Sequence, residues 1–100
     1  MEIFKENNGN ELVVSIKGRL DTNAATGFGA DMEASLVEGI SNLVLDMSEC
    51  DYVASSGLRV ILGAQKKMNS LNGTMVVRNV AESVMEVFEM VGFADILTFE

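Results

Sequence analysis

The sequence predicts an α/β fold, a mixed β-sheet of about four to five strands packed against amphipathic helices. Three observations predict it. Short apolar runs bounded by turn residues alternate with longer segments of helical period, in the order β-β-α-β-α-β-α and a short final strand. The first two runs flank an asparagine- and glycine-rich turn, the composition of a tight hairpin. No proline and no Gly/Ser-rich linker interrupts the 100 residues, so one domain over 1–100 is expected.

Residues 2–6 and 11–17 read as the hairpin strands, joined by Asn7-Asn8-Gly9-Asn10, which tolerate the positive φ angles such a turn needs. Gly18-Arg19-Leu20-Asp21 then leads into Thr22-Asn23, good N-cap types, and a helix over Ala24–Glu38. Ala25, Phe28, Met32 and Leu36 fall on one face of that helix. Gly27 and Gly29 weaken it by roughly 1 kcal/mol each relative to alanine, so tertiary packing must hold its first turn, and Gly39 is the expected stop. Leu43–Met47 is a buried strand. Leu58, Ile61, Leu62 and Met68 recur at helical spacing and place a helix over 56–71, closed by Asn72-Gly73. Thr74–Arg78 is a strand centred on Met75, Val76 and Val77. The helix over 80–91 carries Val80, Val84, Val87, Phe88 and Val91 on one stripe, with Gly92 as its stop, and Ile96-Leu97-Thr98-Phe99 offers an edge strand.

Composition narrows the function. A hydrophobic content of 48% supplies a core, and a formal charge of −8 argues against binding nucleic acid or anionic membranes. No apolar stretch approaches the roughly 20 residues of a membrane span, and the N-terminus MEIFKENNGN lacks the basic and apolar regions of a signal peptide. The one cysteine, Cys50, cannot form an internal disulfide, which suits a reducing compartment; a cytoplasmic location is expected. With no histidine and one cysteine, the chain lacks Ser-His and Cys-His nucleophile pairs and the usual zinc sets. No metal, cofactor or enzymatic activity is expected.

Ser55-Ser56-Gly57 sits where a strand hands over to a helix. A helix start leaves about four backbone N–H groups unpaired and carries partial positive charge. The two hydroxyls are therefore either plain caps or the site of a phosphorylation switch, because a phosphate there would be electrostatically welcome. Ser55 is placed just outside the helix and Ser56 nearer the first turn. Asp21, Asp46, Glu49 and Asp51 are expected near this end of the sheet, with Arg59 four residues beyond Ser55 as partial compensation. Asp46, after a buried strand, invites comparison with a receiver-domain phosphoacceptor, but the acidic pair and the lysine such sites need are missing; Asp46 and Asp51 read as solvated loop acids. Asp21 reads as a helix-start acid or a contact residue. Cys50 reads as a small buried hydrophobe, Lys66-Lys67 as solubilising, and the seven methionines, Met85 and Met90 included, as core filler.

The segments LVLDMSECDYVASSGLRVILGAQKKM and NVAESVMEVFEMVGFADILTFE, with the GRLD turn at 18–21 and the Asn-Gly turn at 72–73, resemble the STAS domain family, specifically freestanding bacterial anti-sigma factor antagonists. The likeness runs from Leu12 to Phe99. It implies a STAS-type sheet and a non-enzymatic switch protein that binds an anti-sigma factor serine kinase when unphosphorylated and so frees a sigma factor. It further implies that the kinase phosphorylates the serine aligned with Ser55, weakening binding, and that a metal-dependent serine phosphatase reverses this. Asp21, Ser56, Gly57, Leu58 and Arg59 fall where the family contacts its kinase. Two departures stand out: Ala54 where the family often has Asp before the acceptor, and Arg59 where it commonly has Gly. Ala54 motivates the alternative, a constitutive STAS interaction module in a larger signalling or transport assembly that is not phosphorylated.

Overall fold

In the computed structural model, which describes residues 1–100, the elements run β1 (Glu2–Asn8), β2 (Glu11–Leu20), α1 (Thr22–Ser35), β3 (Asn42–Val53), α2 (Ser55–Ser70), β4 (Thr74–Arg78), α3 (Glu82–Met90), a 3-10 turn (Phe93–Asp95) and β5 (Thr98–Phe99). The strands form one five-stranded sheet in sequence order. β1 is antiparallel to β2, and β2, β3, β4 and β5 are parallel. This is the mixed α/β sheet the sequence predicts.

Side-chain alternation puts the three helices on one face. Leu12, Val14 and Ile16 of β2, Leu43, Leu45 and Met47 of β3, and Met75 and Val77 of β4 point the same way. They join Ala25, Phe28 and Met32 of α1, Leu58, Ile61, Ala64 and Met68 of α2, and Val84 and Phe88 of α3 in one buried cluster. Val13, Val44 and Val76, paired across three strands, belong to the opposite face, and Val44 is buried there outside that cluster.

Local chemistry sets the element ends. The hairpin turns at Gly9-Asn10 with Gly9 at φ +69°, so the strands extend through Asn7 and Asn8. α1 starts at Thr22, two residues earlier than expected, because the Asp21 carboxylate caps it by accepting the Ala24 N–H at 2.9 Å. It ends at Ser35, short of Glu38: Leu36 turns out of helical geometry to bury its side chain, and Gly39 (φ +104°) serves the following loop. At the end of α2, Asn72 takes the left-handed conformation (φ +58°). The Asn72 N–H donates to Asn69 O (3.1 Å) and the Gly73 N–H to Met68 O (2.8 Å), the Schellman pattern. α3 is shorter than its apolar stripe, and Val80 and Val91 lie outside it. Met90, expected in the core, is 83% exposed, because Val84 and Phe88 define the buried side of α3.

The largest departure is β3. It runs seven strand residues past Asn42–Asp46, the part that β4 pairs, and beyond that point only β2 lies beside it. Asp46 and Asp51 are strand residues rather than loop acids. Two register shifts against β2, at Ser15/Lys17 and Gly18/Arg19, each give β3 one extra residue. In the first, the Ser48 N–H donates to Asp46 Oδ1 at 3.0 Å. That bond, helped by the Ser48 and Asn79 side chains and Arg78 and opposed by partial desolvation, holds the Asp46 carboxyl below its ordinary value.

Candidate functional site: the strand-to-helix turn at Ser55

β2 and β3 end side by side, and each hands over to a helix within two residues. The Ala54 N–H donates to Leu20 O at 2.9 Å, which ties the start of α2 to the end of β2. Ala25 N–H donates to Asp21 O at 2.9 Å and Leu58 N–H to Ala54 O at 3.0 Å, so Asp21 and Ala54 are the equivalent first acceptors of two neighbouring helices. The fold thereby brings Asp21, Ser55, Ser56, Gly57, Leu58 and Arg59 together beyond the C-terminal ends of β2 and β3. Asp46 does not belong to this group. It stands eight residues before Ala54 along an extended strand, on the order of 20 Å away. Its neighbours across the sheet are Ser15 and Arg78.

Neither serine caps α2. Ser55 is the first helical residue and the N-cap is Ala54, which has no side chain able to accept a hydrogen bond. Ser55 is exposed and Ser56 half-buried, and the Ser56 hydroxyl is enclosed without a hydrogen-bond partner. The cap reading of the pair therefore fails on geometry, and no side chain caps the start of α2. Two consequences are measurable. Ala54→Asp is expected to raise stability by about 1 kcal/mol in urea denaturation by supplying the missing cap. Ser56→Ala removes an unpaired buried hydroxyl, so it is expected to leave stability unchanged or raise it; a loss above about 1 kcal/mol would contradict the orphaned geometry.

Gly57 and Leu58 set the position of the turn. A Cβ at Gly57 would lie 2.6 Å from Leu20 Cγ and 3.2 Å from Leu20 O, so only glycine lets α2 sit this close to the end of β2. Leu58 is 6% exposed and anchors the first turn in the core. Of the residues at this end of the sheet, Ser55 and Arg59 are exposed, while Asp21 is half-buried and engaged as the α1 cap. Leu20, buried completely, is the positioning residue that sequence reasoning missed. Its only signal was an apolar residue directly before Asp21. Nearby, the Arg19 guanidinium lies 4.1 Å from the centroid of the Tyr52 ring, a cation–π contact on the projecting part of β2 and β3. Beneath it, burial pushes the Cys50 thiol up, so the group stays protonated at neutral pH.

The STAS domain family matches residues 3–100. The chain belongs to that family. BtrV of Bordetella bronchiseptica, described as a candidate anti-sigma factor antagonist, is 33% identical to this STAS domain over 85 residues, covering 85% of this chain and 73% of the relative. The anti-sigma-B factor antagonist of Bacillus subtilis is 27% identical over 90 residues, covering 90% and 82%. Among solved structures, an anti-sigma factor antagonist candidate from Thermotoga maritima has the same fold with a TM-score of 0.89 at 18% identity, covering 97% of this chain and 84% of that one. The Bacillus cell fate determinant SpoIIAA in its phosphorylated form gives a TM-score of 0.78 at 17% identity, covering 99% and 91%. The STAS fold is thus shared with these structures. No helix of the chain is long and apolar enough to cross a membrane.

Proposed function

We propose that this STAS domain is a non-enzymatic anti-sigma factor antagonist switched by phosphorylation of Ser55. The observation that carries the reading is the exposed Ser55 hydroxyl on the first residue of α2, beside a helix start that no side chain caps. Unphosphorylated, the edge formed by Asp21 and the first turn of α2 docks on an anti-sigma factor serine kinase, which releases its sigma factor. Gly57 and Leu58 shape that edge from beneath, and Ser56 and Arg59 flank the acceptor. Transfer of the γ-phosphoryl group of ATP to Ser55 Oγ, with loss of the hydroxyl proton, adds about −1.5 to −2 charges to the docking surface. The surface already holds the Asp21 carboxylate, so the added charge weakens docking. A serine phosphatase that hydrolyses the ester restores the binding form. The names of the related antagonists support the partner class.

Incubated with ATP and its partner kinase, the protein is expected to gain one phosphate by intact-mass measurement, and Ser55→Ala none. A gain that survives Ser55→Ala removes Ser55 from the role. Ser55→Asp is expected to weaken binding to the kinase; unchanged affinity would instead assign a constitutive interaction module.

A further inference from the structure

We propose that Arg59 is the internal receptor for the phosphate on Ser55: the phosphorylated side chain folds back onto α2 and pairs with the Arg59 guanidinium. The inference rests on the reading of Ser55 as the phosphorylation site and names how that site is regulated. Lys5 pairs with Asp31, Lys17 with Glu49 and Arg78 with Glu100, and the Arg19 guanidinium lies over Tyr52. Arg59 is the one arginine with neither an ion pair nor an aromatic partner. It is exposed, and α2 contains no acidic residue to compete for it.

The geometry selects Ser55 as its counterpart. Residues four apart on a helix share a face, about 5–6 Å between Cβ atoms. Helical side chains lean toward the N-terminus, so the turn that begins at Ser55 is within reach of the long Arg59 chain. An anion at position i and a cation at i+4 is also the favourable order along the helix axis. A phosphate presents three acceptor oxygens, and a guanidinium engages two of them at once. Lys66 and Lys67 stand three turns farther along, roughly 16 Å by helical rise, and cannot reach.

The pairing changes what phosphorylation does to the docking edge. In the free form Arg59 is an unengaged cation one turn from the acceptor, available to a partner. In the phosphorylated form it is consumed within the chain. One modification thus adds negative charge and withdraws a positive charge one helical turn away.

The test needs no kinase. The protein is made with phosphoserine installed at position 55 during translation, and the phosphate is titrated by phosphorus NMR. Its second ionisation is expected below the value near 6 of an unpaired phosphoserine. Arg59→Gln is expected to raise that midpoint by roughly half a pH unit. Lys66→Gln, which removes the same charge from the same helix, is expected to move it by less than a third as much. An unmoved midpoint in Arg59→Gln, or an equal shift in Lys66→Gln, overturns the pairing. Failure of a kinase to modify Ser55 would overturn the functional reading and leave this result standing.

Discussion

Valine in place of Gly57 is expected to destabilise the protein by about 3 kcal/mol and to displace Ser55. A single Cβ at this position already falls 2.6 Å from Leu20 Cγ and 2.9 Å from Leu20 Cδ2. Leu20 is fully buried at the end of β2, so its side chain has no free volume into which to retreat. Its carbonyl, 3.2 Å from the same Cβ, is fixed by the Ala54 N–H, so backbone adjustment would break the tie between β2 and α2. The β-branched side chain adds two more methyl groups to that collision. Alanine should be milder, because it brings the Cβ without the two further methyl groups and has the higher helix propensity. Urea denaturation measures the loss, and the proton shift of the Ser55 amide reports the displacement. A valine variant as stable as the parent would mean that α2 does not lie against Leu20.

Phe88→Ala should cost more, about 3–5 kcal/mol. Phe88 is wholly buried, and its ring centroid lies 5.3 Å from that of Phe99 and 6.4 Å from that of Phe93. It is the residue through which α3, the 3-10 turn and β5 meet. β5 pairs with β4 at only two positions, Val76↔Thr98 and Val77↔Phe99, so this cluster joins the buried Leu97, the Glu100 N–H to Val77 O bond and the exposed Arg78–Glu100 pair in holding the last strand. For a domain of 100 residues each kcal/mol shifts Tm by roughly 4–8 °C, which puts the expected drop near 12–40 °C. Met90→Ala, two residues along at an 83% exposed position, serves as the control and should leave Tm within a few degrees. A Phe88→Ala loss below 1 kcal/mol would contradict the aromatic cluster.

These two positions also mark what the sequence could and could not disclose. Phe88 was legible, because the stripe it shares with Val84 is a helical period that only a buried face explains. The reason for Gly57 was not: it depends on Leu20, which arrives from another strand through tertiary pairing. The same split runs through the site. A hydroxyl pair at a strand-to-helix turn could be read from the order of residues, and the structure keeps it there. Which residue caps α2 turns on a one-residue placement of the helix start, and that placement gives the N-cap to Ala54. At α1 the expectation favoured Thr22 and Asn23, yet Asp21 took the cap because its carboxylate reaches the Ala24 N–H. The outer half of β3 escaped notice for a periodic reason. Its buried residues after Met47 are Cys50 and Val53, spaced by three rather than two, so the alternation that identifies a strand stops at Met47.

That spacing makes segment 48–53 sensitive to chain length more than to composition. Across Gly18–Leu20, β2 advances two residues while β3 advances three from Cys50 to Val53, and the strands come back into phase only because the extra residue is present. Exposed side chains such as Ser48 and Asp51 can therefore vary widely at little expense. Removing either residue outright would turn Val53 toward water and bring Ala54 to the end of the sheet one step short of the Leu20 carbonyl. Homologous chains should accordingly differ freely in the identity of these residues and hardly at all in their number, while the loop around Gly39 absorbs insertions.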